Sequence, residues 1–151
     1  NFPYNISSPI LFKVLECEPQ VDEVIGMFQK EVALRVVAGP GSKVYGILSV
    51  LMQVFFEVKY LIDVNENCFT PPPKVKSGVL RFTNTGNPYG ITNKKKFINL
   101  VKAAFNQRRK TLRNALRGTL PPEALAGVIM EKRAEQLSVE DFVMIHKELQ
   151  P

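Results

Sequence analysis

The apolar positions of this 151-residue chain change rhythm along its length. Ser7 or Ser8 is placed to cap a helix with Pro9 at its first position, and Ile10, Leu11, Val14 and Leu15 follow on one face. Residues 21–28, apolar at 21, 24, 25, 27 and 28, predict a short buried strand. A helix over 30–37 ends before Gly39-Pro40-Gly41. Residues 45–55 return to a helical period, and 56–64 read as a strand rich in aromatic and β-branched side chains. A stiff proline-rich loop covers 69–75. Beyond it, residues 75–83 alternate through Val75, Ser77, Val79 and Arg81 as a strand running back into the sheet. Helix, strand, helix, helix, strand, strand is the order of the second half of an open α/β sheet, with a hairpin-like return at its end.

The pattern then changes. Residues 85–92 are rich in Gly, Asn and Pro and predict a linker, so that 1–84 and 93–151 are expected to be separate domains. The second is expected to be all helical. Phe97, Leu100, Val101, Ala104 and Phe105 make one apolar stripe, which breaks at Gln107-Arg108-Arg109-Lys110 and resumes at Leu112, Ala115 and Leu116. Gly118 is expected to end that helix, Pro121-Pro122-Glu123 to start another, and Ser138 to cap the last.

Charge sharpens this division. The net charge is +6, yet residues 1–93 carry eight basic and eight acidic side chains, whereas 94–117 carry nine basic and none acidic. Residues 118–151 carry three basic and six acidic. Basic charge concentrated in one segment points to a polyanion. Lys94, Lys95, Lys96, Arg108, Arg109, Lys110 and Arg113 are therefore candidate RNA-binding residues, with no acidic neighbour in the segment to pair with them. A solvated helix start is the plainer reading of the three lysines. No apolar run of 18 residues suggests a membrane span, and no leader pattern opens the chain. Cys17 and Cys68 lack metal-ligand spacing and are expected to be free thiols in a reducing cytoplasm, with no metal site. Gly39-Pro40-Gly41-Ser42-Lys43 lacks phosphate-loop spacing and reads as a mobile surface loop. His146 reads as a surface or boundary residue.

Candidate chemistry sits at Asn1-Phe2-Pro3-Tyr4. An exocyclic amine of a base is a poor nucleophile, because its lone pair is delocalised into the ring. The Asn1 amide oxygen and the Phe2 carbonyl can accept its two N–H bonds and turn the lone pair toward a methyl donor, acting by orientation and preorganised electrostatics. Tyr4 offers a stacking face, and Pro3 stiffens the turn. Phe69, on the proline-rich loop, can present a second ring. Taken singly, the tetrapeptide is also an ordinary turn into a helix, and Phe69 can equally plug the core. No nucleophile–base pair or carboxylate pair is visible; the amide chemistry needs none.

Together the segments resemble one family. Asn1-Phe2-Pro3-Tyr4-Asn5-Ile6-Ser7 resembles the Asn-Leu-Pro-Tyr-Asn-Ile-Ser motif of the ribosomal RNA adenine dimethyltransferases. Phe69-Thr70-Pro71-Pro72-Pro73-Lys74-Val75-Lys76-Ser77 resembles their Phe-x-Pro-Pro-Pro-Lys-Val-x-Ser motif. Similar segments recur at 28–33, 45–49, 107–116 and 133–142, in the same order. The closest type is the bacterial small-subunit, kasugamycin-resistance branch. The resemblance implies the C-terminal part of a Rossmann-like class I methyltransferase sheet followed by a small all-α domain. It implies S-adenosyl-L-methionine as cofactor, bordered by Asn1, and Phe69 facing Tyr4 across the base. The implied reaction is N6,N6-dimethylation of two adjacent adenines near the 3′ end of small-subunit (16S) rRNA, on the pre-30S particle, in the cytoplasm. The family's glycine-rich cofactor loop precedes this motif, so the chain is expected to be a C-terminal fragment, inactive alone and prone to self-association, whereas the full-length protein is expected to be a monomer. Phe2 departs from the usual Leu, at a position where the backbone acts. Non-catalytic RNA-binding or ribosome-assembly modules, large-subunit rRNA methylases and DNA adenine-N6 methyltransferases are the alternatives.

Overall fold

The structure, a computed structural model, describes residues 1–149; the last two residues of the predicted 93–151 segment lie outside it. Its elements are α1 (Ser7–Glu16), β1 (Glu23–Gln29), α2 (Lys30–Val37), α3 (Ile47–Phe55), β2 (Phe56–Val64), β3 (Ser77–Asn84), α4 (Lys94–Asn106), the single turn α5 (Leu112–Ala115) and α6 (Val139–Glu148), with short 3-10 turns between them. The order of the first six elements is the one the apolar rhythm predicts.

The sheet runs β1-β3-β2. Since β3 is antiparallel to both neighbours, β1 and β2 are parallel to each other, joined by the α2–α3 crossover. Inserting the last strand between two parallel ones is what makes the predicted return part of an α/β sheet. From Val79 on, β3 alternates as predicted, with its even positions inward. Leu80 and Phe82 are fully buried, whereas Val79 and Arg81 are only half covered. Phe82 packs edge-on to Phe28 and Phe56, with ring centroids 6.1 and 6.3 Å away, so the aromatic face chooses the core side. Each fully buried ring of this kind contributes roughly 2–3 kcal/mol. β1 is less buried than predicted. Gly26 and Phe28 face inward, but Ile25 is 56% exposed.

Other differences are local. Ser7 lies inside α1 rather than capping it; its Oγ donates to the Tyr4 carbonyl at 3.1 Å. The 39–43 loop is pinned rather than mobile. Gly41 N–H donates to the Glu135 carbonyl at 2.7 Å, and Arg108 donates to the Lys43 carbonyl. Gly118 adopts a positive φ after α5 has ended, and residues 122–125 form a 3-10 turn. Ser138 caps α6 as predicted, in a reciprocal pair with Asp141.

The apolar core continues from the sheet side into the helical side. Tyr45, on the α3 approach, meets Phe105 of α4 at 6.0 Å, and Phe105 stacks on Phe142 of α6 at 5.7 Å. The segment between them is held by its own side chains. Asn84 donates to the carbonyls of Glu18 and Val21 at 2.7 and 2.8 Å, and Asn87 bridges both backbone groups of Ile91 at 3.0 Å. His146 is 3% exposed and packs edge-on against Phe97 at 5.4 Å, so it is a core residue rather than a surface one. Burial, with Lys96 nearby, holds its imidazole below the ordinary value.

Candidate active site and nucleic-acid interface

The tetrapeptide at the start of the chain lies at the end of the sheet. Tyr4 opens a 3-10 turn that runs directly into α1, so α1 fixes where its ring stands. The Tyr4 hydroxyl is hydrogen-bonded to Ser77 Oγ, and Ser77 is fully buried at the start of β3. Ser77 also closes the proline-rich segment that carries Phe69. One bond therefore ties the two motifs together. The sequence signal for this role is the position of Ser77, eight residues after Phe69.

Phe2 is held from below. Its ring packs against Phe28 at 5.5 Å and lies over Gly26, where a Cβ would come within 2.8 Å of Phe2 Cδ2 and closer still to Cε2. Gly26 thus leaves room for the aromatic ring that stands where the family motif has Leu. The other wall is braced at the base of the proline-rich loop. Lys30 N–H donates to the Lys76 carbonyl at 2.9 Å, and Lys30 Nζ pairs with Asp63 at 2.9 Å. Asp63 accepts from the Tyr60 hydroxyl. Burial and that bond push the Tyr60 phenol up to about 12, while Tyr60 and Lys30 hold Asp63 below the usual carboxylate range.

Asn1, Phe2, Tyr4 and Phe69 line one open cavity of about 350 Å³, with Asn5, Pro71 and Pro73 completing it. The structure thus gathers the predicted catalytic residues in one place, with Pro3 in the turn between them. Its lining side chains carry no charge. An amide, a backbone carbonyl and aromatic rings suit an uncharged planar ring bearing an N–H donor. They provide no charged side chain to pair with a phosphate or a metal ion. Among the described residues no three His, Cys, Asp or Glu side chains gather into a metal site.

The basic segment divides. Lys94 is turned inward: its Nζ donates to the Leu15 carbonyl at 2.9 Å, pairs with the buried Glu18 at 3.0 Å, and lies 4.9 Å above the Phe55 ring. Arg108 pairs with Glu135 at 3.1 Å and Arg113 with Glu131 at 2.6 Å. The partners missing from 94–117 are thus supplied in part from elsewhere, to Lys94 by Glu18 and to Arg108 and Arg113 by acidic residues of 118–151. Lys95, Lys96, Arg109 and Lys110 are exposed and form no ion pair among the described residues. Lys102 lies 4.5 Å over the Phe12 ring of α1, an exposed cation–π contact of about 0.5–1 kcal/mol. Truncating Lys94 to alanine leaves Glu18 buried without its counter-charge, and we expect a loss of about 3 kcal/mol in denaturant unfolding. Unchanged stability would refute the anchoring role.

An α/β sheet of this topology, with an uncharged cavity at its end and helices after it, fits the C-terminal part of a Rossmann-like class I methyltransferase sheet followed by helices, the class to which the similar solved structures belong. The profile of one family, described as ribosomal RNA adenine dimethylase, matches residues 1–151, and the chain belongs to that family. It is 54% identical over 143 residues to a ribosomal RNA small subunit methyltransferase A of Cytophaga hutchinsonii, covering 94% of this chain and 55% of that protein. To the protein of the same description in Flavobacterium johnsoniae it is 51% identical over 151 residues, covering 99% and 58%. The chain thus spans little more than half the length of these relatives. Among solved structures, a dimethyladenosine transferase from Plasmodium falciparum superposes with a TM-score of 0.86 at 28% identity, covering 98% of this chain and 64% of that one. The 23S rRNA methyltransferase ErmE shares the fold at a TM-score of 0.63 and 23% identity, covering 95% and 62%.

Proposed function

We propose that the protein to which these residues belong dimethylates N6 of adenine in small-subunit rRNA, at two adjacent adenines near its 3′ end. The cavity lined by Asn1, Phe2, Tyr4 and Phe69, without a charged side chain, carries this reading. In it, an adenine swung out of its strand stands between Tyr4 and Phe69. The Asn1 amide oxygen and the Phe2 carbonyl accept the N6 hydrogens, which pyramidalises the nitrogen and directs its lone pair outward. The proton released on methylation passes to solvent, because no general base lines the cavity. S-adenosyl-L-methionine supplies the electrophilic methyl when bound, and Asn1 is the residue of this chain that fits its border. Lys95, Lys96, Arg109 and Lys110 hold RNA phosphates, with Arg108 and Arg113 exchanging Glu135 and Glu131 for the nucleic acid. The partner is the small-subunit particle. No described helix is long and apolar enough to cross a membrane. The reading has the protein work in the cytoplasm, on the assembling subunit.

The test is methyl transfer by the full-length protein to unmodified small-subunit particles, large-subunit rRNA and adenine-containing duplex DNA. We expect dimethyladenosine in the small-subunit rRNA alone. Preferential labelling of DNA or large-subunit rRNA would overturn the assignment.

A further inference from the structure

The face of α4 opposite its buried stripe carries Lys95, Ile98, Asn99 and Lys102, at spacings of three, four and seven residues that bring them into one row. This row and Phe12 of α1 border a groove of about 540 Å³, distinct from the Asn1–Phe69 cavity. Two further charges at the groove are already neutralised. Glu16 pairs with Lys13 at 2.9 Å, and Lys94 pairs with Glu18. Lys95 and Lys102 form no ion pair among the described residues. They stand two helical turns apart, about 10 Å along α4. Between them lie an apolar side chain, an amide and, across the groove, a half-buried aromatic ring. Phe12 lies on α1, the helix that follows directly on the 3-10 turn carrying Tyr4.

From this charge and chemistry we infer that the α1–α4 groove binds an unpaired stretch of RNA, with Lys95 and Lys102 on successive phosphates and Phe12 as the stacking platform for the base between them. Cations two turns apart suit a backbone better than a single anion. The ring and the Asn99 amide add what a base needs, a face and a hydrogen-bonding edge. Lys102 covers the Phe12 ring in the free protein. It moves to the phosphate as the base takes its place, since an exposed cation–π contact is weaker than base–aromatic stacking. An acidic protein surface would use the lysines and leave the ring idle. The inference rests on the rRNA reading for its biological RNA, and the probe is chosen to be independent of it.

The full-length protein is titrated with single-stranded oligouridylate over a range of salt. Lys95→Gln with Lys102→Gln is expected to weaken binding at least tenfold and to lower the slope of log K against log salt by roughly 1.4, two phosphates' worth on a single strand. Phe12→Leu should weaken binding with the slope unchanged, and Lys95→Arg with Lys102→Arg should keep the slope. Unchanged affinity and slope in the glutamine variant overturn the groove, as does wild-type protein that does not bind the probe. If small-subunit rRNA is methylated but the slope does not move, the groove fails and the enzymatic reading stands. If the slope falls but no rRNA is methylated, the groove stands and that reading fails.

Discussion

Asn1→Ala in the full-length protein is expected to lower kcat for methyl transfer by about two to three orders of magnitude. Secondary structure and unfolding midpoint should stay unchanged. Asn1 is exposed, so the fold does not depend on its side chain. In the proposed reading its contribution lies in accepting one N–H of the adenine amine, an interaction that strengthens as the nitrogen pyramidalises. A bond that is stronger in the transition state than in the ground state changes kcat more than KM. Steady-state kinetics on unmodified small-subunit particles give the split. A raised KM with kcat intact would make Asn1 a binding residue only.

Gly26→Ala is expected to reduce activity by roughly 100-fold, although Gly26 does not line the cavity. The added methyl would overlap the Phe2 ring, which is wedged between Gly26 and Phe28. A ring pushed aside there carries the Phe2 backbone with it, whose carbonyl is the second acceptor in the proposed reading, and a displacement of about 1 Å at a reacting group is enough for a loss of this order. Gly26 has no left-handed backbone geometry, so alanine brings no strain of its own. The diagnostic variant adds Phe2→Leu, the residue usual in the resembling motif. The shorter side chain makes room for the methyl, and the double variant should recover most of the lost activity. Phe2→Leu alone should be near wild type. A double variant no better than Gly26→Ala would remove Phe2 from the account.

How much of this was legible beforehand differs from element to element. α2 and β2 keep their predicted bounds because Gly39-Pro40-Gly41 and the switch from helical to alternating rhythm at Phe56 are local signals. β3 was legible as an alternating strand, but not which of its faces is buried, because Leu80 and Phe82 are set by rings on neighbouring strands, which no local pattern encodes. His146 looked like a boundary residue because its apolar neighbours, Phe97 among them, come from another helix. The pinned 39–43 loop has the same origin, since Glu135 and Arg108 are remote in sequence. At the site, residues 1–4 and Phe69 were readable because each lies in a compact motif. The Tyr4–Ser77 bond and the fit of Phe2 over Gly26 required three dimensions. The basic segment was readable as charge and not as pairing. Counting residues 94–117 suggested seven candidate cations, and the fold turns Lys94 inward and gives Arg108 and Arg113 carboxylate partners.

The central claim is that residues 1–4 and Phe69 hold an adenine of small-subunit rRNA for methylation at N6. Nucleoside mass spectrometry of small-subunit rRNA tests it most directly, in cells whose only copy of the full-length gene is either wild type or Asn1→Ala. The account predicts N6,N6-dimethyladenosine with the wild-type copy and its near-complete loss with the variant, at equal protein levels. Equal dimethyladenosine in both would contradict it.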